Sequence, residues 1–384
     1  MKLGIVIDRW DPQKGGAERA LAELALAALG AGHDVAVYAM SAADGAPGRL
    51  VRVPVPPAPR GVRDVAFAKR AVAAARRDAC DVVLGVRHVT GVDVYWPHGG
   101  VHAETLAAVE RSKGRTLGAV SRALHRVSPK QHALLALERR FFETPSEARI
   151  WCVSEMVRDE ILARWPAVAS RIEVHRNGVD TDRFHPGLRD EHRERVRRDL
   201  HIPKDAAMLL FLGGAWRLKG WPVLLRALPR VGGAKWFCVA AGARHESAAR
   251  AAARAGLADR VRVMDAQDPR PLYGATDVFV QPTWRDPCSL ATLEALACGV
   301  PVVTTTANGA GEVASSADGP VSAVPAGDAD AFGAALTSRL ALLRSTRHAA
   351  AVRASARAAA PSLSTWRAEL LAALRRAATS PAGK

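Results

Sequence analysis

The sequence contains little of what marks several common classes of protein. Its five cysteines form no CxxC pair, so neither a disulfide framework nor a zinc finger is indicated, and a reduced, cytosolic protein is expected. No apolar run approaches the ~20 residues of a membrane-spanning helix. The opening residues MKLGIVID contain one lysine and a short apolar run, which predicts a first strand and not a signal peptide.

Acidic residues are also few. There are 38 Asp and Glu residues against 54 Lys and Arg residues, which gives a net charge of +16. A uniformly solvated basic surface is one explanation, and a nucleic acid, an anionic membrane or a phosphorylated substrate are the others. Aromatic residues make up only 5% of the chain, and no zinc-finger, RRM or KH pattern occurs, so we expect no nucleic-acid partner.

Buried strands alternate with helices along the whole chain. Residues 2–7 predict a strand, 17–29 a helix and 35–40 the next strand, and the same order continues to the last helix near 366–376. This order predicts an α/β protein of doubly wound domains. Neither GxGxxG nor GxxxxGK[ST] follows the first strand, which excludes a dinucleotide or P-loop site there.

The stretch 278–312, VFVQPTWRDPCSLATLEALACGVPVVTTTANGAGE, is the richest in chemical signals. Asp286 precedes Pro287, a residue favoured at the first helical position, so we expect Asp286 to cap a helix that begins here. Glu294 follows eight residues later, roughly 12 Å along a helix. One carboxylate can hold a sugar and the other a ribose, or Asp286 is only a cap and Glu294 only a surface residue. The amides that would face a diphosphate between them belong to Cys288, Ser289 and Leu290.

Several of these residues resemble the family-four retaining glycosyltransferases of the GT-B fold. Glu294 opens EALACGVPVVTT, which is similar to the EAxAxGxPVV of that family, and NGVD at 177–180 with Phe184 is similar to the segment that closes its first domain. Asp286 stands where the family has Glu, so its arm is one methylene shorter. The resemblance implies two Rossmann-like doubly wound domains facing across a cleft, here 1–186 and 187–362. Residues 363–384 then form a helix that crosses back to the first domain and a tail.

The resemblance also implies a role for each candidate in the second domain. Asp286 would hold the sugar, Glu294 the ribose, and the main chain near Asp265 and Ala266 the base. Lys219-Gly220 matches the family's KG, and Arg217 matches its arginine loosely. Two cations beside a helix start can neutralise a diphosphate. A solvated basic turn is the alternative for this pair.

Two further candidates lie in the first domain. Gly15 and Gly16 open a helix and resemble the family's glycine loop, which brings backbone close to donor phosphate and acceptor; the alternative is an ordinary turn. His98 follows a strand, at the sheet edge where α/β proteins bind ligands. It can donate to a sugar hydroxyl or orient an acceptor, or it is an ordinary loop histidine.

Residues 111–130, RSKGRTLGAVSRALHRVSPK, form a basic stretch without an acid. Leu117, Val120, Leu124 and Val127 recur at helical spacing. This stripe either lies on an anionic membrane or packs on the sheet beneath a solvated basic face. The six basic residues of the candidate membrane or acceptor surface are Arg111, Lys113, Arg115, Arg122, Arg126 and Lys130.

The resemblance implies a retaining hexosyltransferase that needs no metal and no cofactor besides its nucleotide-sugar donor. GVDVYWPHGG and the basic stretch are most similar to glucosyltransferases of the lipopolysaccharide core, which implies UDP-glucose and a lipid-linked or phosphorylated glycan acceptor. The expected location is the cytoplasmic face of the membrane, as a peripheral protein. A nucleotide-sugar epimerase or hydrolase of the same fold is one alternative, and a basic adaptor that binds membrane or nucleic acid is the other.

Overall fold

A computed structural model describes residues 1–12, 15–43, 45–58, 60–86, 89–242, 245–316 and 319–379. The chain divides into two compact units. The first unit contains Met1–Glu110, Thr116–Asn177 and the C-terminal residues from Ser364, and the second contains Arg111–Arg115 and Gly178–Leu363. Each unit has its own parallel sheet.

The main sheet of the first unit has seven strands in the order β5-β3-β1-β6-β7-β8-β9, and every pair in it is parallel. The strands of this unit are β1 (Lys2–Val6), β2 (Arg9–Trp10), β3 (Asp34–Ala39), β4 (Ser41–Ala42), β5 (Arg49–Arg52), β6 (Val82–Gly85), β7 (Val94–Tyr95), β8 (Arg149–Cys152) and β9 (Ile172–Val174). Strands β2 and β4 form a separate pair. The helices along this part of the chain are α1 (Gly16–Gly30), α2 (Arg60–Arg77), α3 (His102–Ser112), α4 (Arg115–Arg126), α5 (Pro129–Glu143) and α6 (Glu155–Leu162).

The sheet of the second unit has six parallel strands in the order β12-β11-β10-β13-β14-β15. Its strands are β10 (Ala207–Leu212), β11 (Trp236–Ala241), β12 (Val261–Met264), β13 (Val278–Gln281), β14 (Val302–Thr305) and β15 (Val321–Val324). Its helices are α7 (Leu188–Asp199), α8 (Trp221–Ala227), α9 (His245–Arg254), α10 (Arg270–Ala275), α11 (Leu290–Ala297), α12 (Ala329–Leu342) and α13 (Thr346–Ala359). The last helix, α14 (Leu363–Thr379), belongs to the first unit from Ser364 onward.

The strands are buried because a parallel sheet is covered on both faces. In the second unit Leu209, Phe211, Val278 and Val303 join one continuous apolar core. Strand β5 lies at the sheet edge and is only partly buried. The prediction of two doubly wound α/β units with parallel sheets is confirmed.

Two helical stretches differ from the prediction. The basic stretch 111–130 is divided between helices, because Ser128 caps a new helix whose first residue is Pro129. Helix α13 was not predicted, since its alanines and arginines give only a weak apolar pattern. Among the helices of the described residues, none has the length and apolar character to cross a bilayer.

Candidate active site

The loops after β10 and β13 meet at the carboxyl edge of the second sheet. The carbonyl of Leu218 accepts two hydrogen bonds from the β13 side, from the amide of Trp284 at 2.8 Å and the hydroxyl of Thr283 at 3.0 Å. Lys219, the next residue, is therefore held beside the chain that follows β13. In α/β sheets this edge is the usual place for ligands.

Gly220 makes this close approach possible. Its φ is +86°, and an added Cβ would lie 1.8 Å from the carbonyl oxygen of Pro282. Any other residue would be strained in this conformation and would push the two loops apart. The sequence pair Lys219-Gly220 thus has a local reason: the glycine lets the lysine reach the loop after β13.

Lys219 pairs with Asp286 in this position. The ammonium of Lys219 donates a hydrogen bond to Oδ2 of Asp286. Asp286 is buried, with 7% of its surface exposed, whereas the Lys219 side chain is 23% exposed. The cation and the first of the two predicted acids therefore lie in contact, and the lysine faces the more open side.

Asp286 does not cap the helix, so this part of the sequence prediction is wrong. Its amide donates to the carbonyl of Ala307 at 2.8 Å, and its carbonyl accepts from the amide of Gly309 at 2.9 Å. This bridge to the chain after β14 holds residue 286 in extended backbone. Helix α11 instead begins at Leu290, and Ser289 caps it by accepting from the amide of Thr292 at 3.3 Å. The 12 Å rise along one helix consequently does not separate the two acids.

Glu294 is a buried residue of α11, with 8% of its surface exposed. The hydroxyl of Tyr273 lies 3.1 Å from Oε2 of Glu294 and 2.8 Å from the carbonyl of Ala291. The alternative of a surface glutamate is therefore wrong. A buried carboxylate on the first turns of this helix is positioned to accept hydrogen bonds from a polar ligand.

A buried polar network beneath Asp286 was not found from the sequence. The side-chain amide of Asn308 lies 3.3 Å from Gln281, 3.0 Å from Thr292 and 3.0 Å from Thr304. All four residues are essentially inaccessible. Since Asn308 is also the bridge partner of Asp286, the network fixes the loop that carries the acid. Asn308 lies in the TTTANGAGE segment. Its hydrogen bonds to the other three residues are visible only in the three-dimensional structure.

The remaining candidates of the second unit lie around this edge. Arg217 is exposed on the same loop as Lys219, and Asp265 and Ala266 are exposed directly after β12. Cys288 is buried before the cap of α11. Their roles stay predictions.

In the first unit, Gly16 and His98 line one pocket of about 340 Å³. Gly15 is the N-cap of α1, and Gly16 is its first residue. The pocket opens at the carboxyl ends of β1, β6 and β7, and Glu18 and Tyr95 also line it. Two candidates that are 82 positions apart in the sequence are thus neighbours in the fold.

His98 has an unusual environment. Its ring lies on Trp96 with 4.1 Å between the centroids, and Trp96 also contacts Trp151 and, from α14, Trp366. Nε2 of His98 is buried without a hydrogen-bond partner among the described residues. Burial lowers the pKa of His98 to about 3, so the imidazole is neutral at physiological pH.

Helix α4 exposes its apolar stripe instead of packing it on the sheet, so that alternative is wrong. The exposed fractions are 58% for Leu117, 57% for Val120, 62% for Leu124 and 73% for Val127. The helix contacts α3 through its small and polar side: a Cβ on Gly118 would lie 2.6 Å from the carbonyl of Glu110. Arg122 and His125 reach Glu110 at 3.1 and 2.9 Å.

Asp180-Thr181-Asp182 and Asp328-Ala329-Asp330 have the DxD form of a metal-binding motif, but the first acid of each accepts hydrogen bonds from backbone amides. Oδ1 of Asp180 accepts from the amides of Asp182 at 3.1 Å and Arg183 at 3.0 Å. Asp328 caps α12 through the amide of Ala331 at 2.9 Å. Within the described ranges, no group of three or more His, Cys, Asp or Glu side chains is arranged to hold a metal ion.

Two family models match this chain. "Glycosyltransferase Family 4" matches residues 14–183, and "Glycosyl transferases group 1" matches residues 206–341. Together they account for most of both units, and the second contains Lys219, Asp286 and Glu294.

Curated relatives and solved structures agree with this. A D-inositol 3-phosphate glycosyltransferase of Mycolicibacterium smegmatis is 30% identical over 224 residues, which are 56% of this chain and 48% of that protein. One from Corynebacterium jeikeium is 35% identical over 164 residues, 39% of each chain. The chain spans about half or less of the length of these relatives.

Among solved structures, WaaG, a glycosyltransferase involved in lipopolysaccharide biosynthesis, superposes with a TM-score of 0.76 at 20% identity, over 96% of this chain and 98% of that one. Anabaena HepE in complex with UDP-glucose superposes with a TM-score of 0.68 at 18% identity, over 98% of this chain and all of that one. The two family models, supported by the common fold, show that this chain belongs to the family-four, group 1 glycosyltransferases of the GT-B fold.

Proposed function

We propose that this protein transfers glucose from UDP-glucose to a phosphorylated acceptor at an anionic membrane surface, with retention of configuration. The contact between Lys219 and Asp286 at the carboxyl edge of the second sheet carries this proposal. A cation for a diphosphate and an acid for sugar hydroxyls lie side by side there. Such a pair is suited to hold the two groups that separate when a nucleotide-sugar reacts.

In this mechanism the diphosphate leaving group receives both the developing negative charge and the acceptor's proton. A hydroxyl oxygen of the acceptor forms a bond to C1 of the sugar while the bond from C1 to the phosphate oxygen breaks. Negative charge grows on that phosphate oxygen, where the Lys219 ammonium and the exposed Arg217 stabilise it. The acceptor attacks from the leaving group's own face, and its proton passes to a phosphate oxygen, so UDP leaves and no protein nucleophile is needed.

Asp286 and Glu294 bind the donor's two ends in this proposal. Asp286 accepts hydrogen bonds from the sugar hydroxyls. Its contact with Lys219 matches the donor, in which the sugar and the diphosphate are adjacent. Glu294, buried beside Tyr273, accepts from the ribose hydroxyls. HepE has the same fold, and its complex with UDP-glucose supports a donor of this class.

The pocket of Gly16 and His98 is our proposed acceptor site. Its volume of about 340 Å³ is within the range of small-molecule sites. Since burial keeps His98 neutral, its unpartnered Nε2 can form a hydrogen bond with a hydroxyl without bringing a charge into the pocket. We expect His98 to orient the acceptor and not to hold the diphosphate.

Helix α4 is the proposed membrane contact. A stripe of four exposed aliphatic side chains is costly in water, and basic residues adjoin it with no acid in the same stretch. In an interfacial helix the apolar side chains enter the acyl boundary and basic residues contact anionic headgroups. Arg126 and Lys130 are the basic residues placed for this here. Arg122 is tied to Glu110 and contributes less.

Two acceptor classes follow from the comparisons. WaaG, which superposes over nearly the whole chain, is described as involved in lipopolysaccharide biosynthesis, whereas the curated relatives are D-inositol 3-phosphate glycosyltransferases. Inositol 3-phosphate and a polysaccharide both offer hydroxyl groups as acceptors, and the first also carries a phosphate. We favour a lipid-linked glycan of the lipopolysaccharide core type because the exposed α4 stripe suits an acceptor that is held in a membrane.

The decisive experiment is a transfer assay with radiolabelled UDP-glucose. The protein is incubated with donor alone, with D-inositol 3-phosphate, and with deacylated or vesicle-bound lipopolysaccharide core. Product formation that depends on acceptor, with the α-linkage of the donor retained, supports the proposal. Release of free glucose at the same rate without acceptor indicates a hydrolase, conversion of the donor sugar alone indicates an epimerase, and both outcomes contradict it.

A further inference from the structure

A second pocket lies in the second unit, at the sheet edge opposite to Lys219 and Asp286. Its volume is about 280 Å³, and it adjoins the amino ends of β10, β11 and β13. Five basic and two acidic side chains are among its lining residues. They are Arg189, Arg193, Lys235, Arg344, Arg353, Asp205 and Asp277.

Asp277 is the centre of this pocket. Its two carboxylate oxygens face four guanidinium groups, from Arg189 at 3.4 Å, Arg193 at 3.0 Å, Arg197 at 3.1 Å and Arg353 at 3.4 Å. Its Oδ2 also accepts from the amide of Met208 at 2.9 Å. A carboxylate offers about four lone-pair positions. The Asp277 carboxylate therefore cannot accept further hydrogen bonds. The two arginines at 3.4 Å, Arg189 and Arg353, make its longest contacts.

The positive charge of this cluster exceeds the negative charge. The arginines also donate to backbone carbonyls, for example Arg193 to Ala275 at 3.0 Å, but these contacts neutralise no charge. Asp205 is engaged by Lys235 at 2.7 Å. Burial and the neighbouring Arg189 lower the pKa of Arg353 to about 10, although Asp277 opposes this change. Guanidinium groups this close repel one another, so the binding of an additional anion stabilises them.

A role in holding the fold together accounts for only some of the basic side chains around Asp277. Asp277 and Arg197 are buried and tie α7 to the first residues of β10 and β13. Arg353 is placed by α13, and Arg344 follows α12, so two other helices bring cations to the same cavity. Among the described residues that line the pocket, the acids are Asp205 and Asp277, and both are already paired with basic side chains.

We propose that this pocket binds a small oxyanion of the phosphate class, either inorganic phosphate or the phosphate group of a phosphomonoester. The cavity is near the lower end of the volumes of small-molecule sites, about 300 Å³, so it favours a compact anion over a nucleotide. Guanidinium groups bind such oxygens in pairs of parallel hydrogen bonds. The site is separate from the proposed donor site, because it adjoins the opposite ends of the strands.

The test is thermal unfolding of the full chain in sodium phosphate, with sodium chloride added to the same ionic strength as the reference. We expect phosphate to raise the Tm in wild type, and the apparent affinity to fall about tenfold or more in Arg344→Ala and in Arg353→Met. Arg254→Ala, an exposed residue of α9, is the matched control and should behave as wild type. Lys219→Met should also keep the shift, since it removes only the donor-site cation.

Glycerol 3-phosphate in place of inorganic phosphate distinguishes the two sources, and a greater shift with either one supports the class. The Arg344 side chain is exposed and donates to the backbone carbonyl of Gly233, so its variant is expected to fold even if Arg353→Met does not. No shift beyond the chloride reference, equal shifts in wild type and Arg344→Ala, or loss of the shift in Lys219→Met would overturn the proposal.

Discussion

Lys219 Nζ donates a hydrogen bond to Asp286 Oδ2, although 67 positions separate the two residues in the chain. The loop after β10 supplies the lysine, and the loop after β13 supplies the acid. These strands are neighbours in the sheet, so their carboxyl ends are adjacent. In the proposed reaction this contact must loosen when the donor diphosphate takes the ammonium.

Loss of the lysine should slow transfer more than it weakens donor binding. We expect Lys219→Met to lower kcat about 100-fold or more, because removal of one group that stabilises developing charge costs that much in comparable sites. The measurement is the rate of UDP release under saturating donor and acceptor. Lys235→Met, which removes an exposed lysine paired with Asp205, is the control and should keep the wild-type kcat. An unchanged kcat in Lys219→Met would contradict the role in charge stabilisation.

Glu294 should govern donor affinity. Removing a buried charged hydrogen-bond acceptor costs about 1.5–3 kcal/mol, so Glu294→Gln should weaken UDP-glucose binding roughly 10- to 150-fold. Calorimetric titration measures this directly. Glu246→Gln changes an exposed glutamate of α9 and serves as the matched control. Equal donor affinity in Glu294→Gln and wild type is the result that removes Glu294 from the donor site.

Asn308 should matter for both stability and activity. Asn308→Ala removes the hydrogen bonds to Gln281, Thr292 and Thr304, and we expect the free energy of unfolding to fall by about 1–3 kcal/mol. Since the bridge to Asp286 passes through this residue, kcat should fall as well. Urea unfolding and the transfer assay measure the two effects. A destabilised variant with full activity per folded molecule would show that the network does not position Asp286.

His98 should make the protein less stable in acid. Its pKa is about 3 in the folded chain against an ordinary value of 6.5, so the unfolded state binds the proton more readily between these values. The stabilisation that a neutral His98 allows is present above pH 6.5 and is lost as the pH falls toward 3. His98→Gln should therefore show a smaller decrease in Tm between pH 7 and pH 4 than wild type.

A matched control separates this effect from other groups. Burial also lowers the pKa of His175, which remains in both proteins and contributes equally to each. His348→Gln changes an exposed histidine of α13 and should follow the wild-type curve. If His98→Gln and wild type have parallel Tm curves, the buried neutral imidazole is not the cause.

The exposed stripe of α4 should control membrane binding. The double change Leu117→Ser and Leu124→Ser should reduce the fraction bound to vesicles that contain anionic lipid, because two apolar side chains no longer enter the acyl boundary. Co-sedimentation measures the bound fraction. Val62→Ser is the matched control, since Val62 is 60% exposed but lies on α2. Charge reversal at Arg126 should weaken binding in low salt more than in high salt.

Unchanged binding of the double variant would show that α4 does not contact the bilayer. Equal weakening by Val62→Ser would mean that the vesicles respond to any exposed apolar side chain. Either outcome concerns the membrane contact alone and does not test the roles of Lys219 and Asp286.

The sequence alone was sufficient for the fold class, and it also indicated the candidate donor-site residues that resemble a known pattern. Continuous apolar runs such as 208–212 and 278–280 predict buried parallel strands because both faces of such a strand are covered. Lys219-Gly220 and Glu294 were predicted as site residues because their neighbours in sequence carry the resemblance. These signals are local, and one chain is enough to show them.

Only the tertiary structure decided how distant residues meet. Asp286 was predicted as a helix cap from its Pro287 neighbour, but pairing with the chain after β14 outweighs that local preference and moves the helix start to Leu290. The apolar stripe of α4 has the same sequence pattern whether it is packed or exposed, and the close contact of Gly118 with Glu110 determines that it is exposed. The arginines around Asp277 come from separate helices, so no spacing in the sequence indicates their common pocket. The physical reason is the same in each case: local preferences are worth about 1 kcal/mol, and contacts between distant segments are worth more.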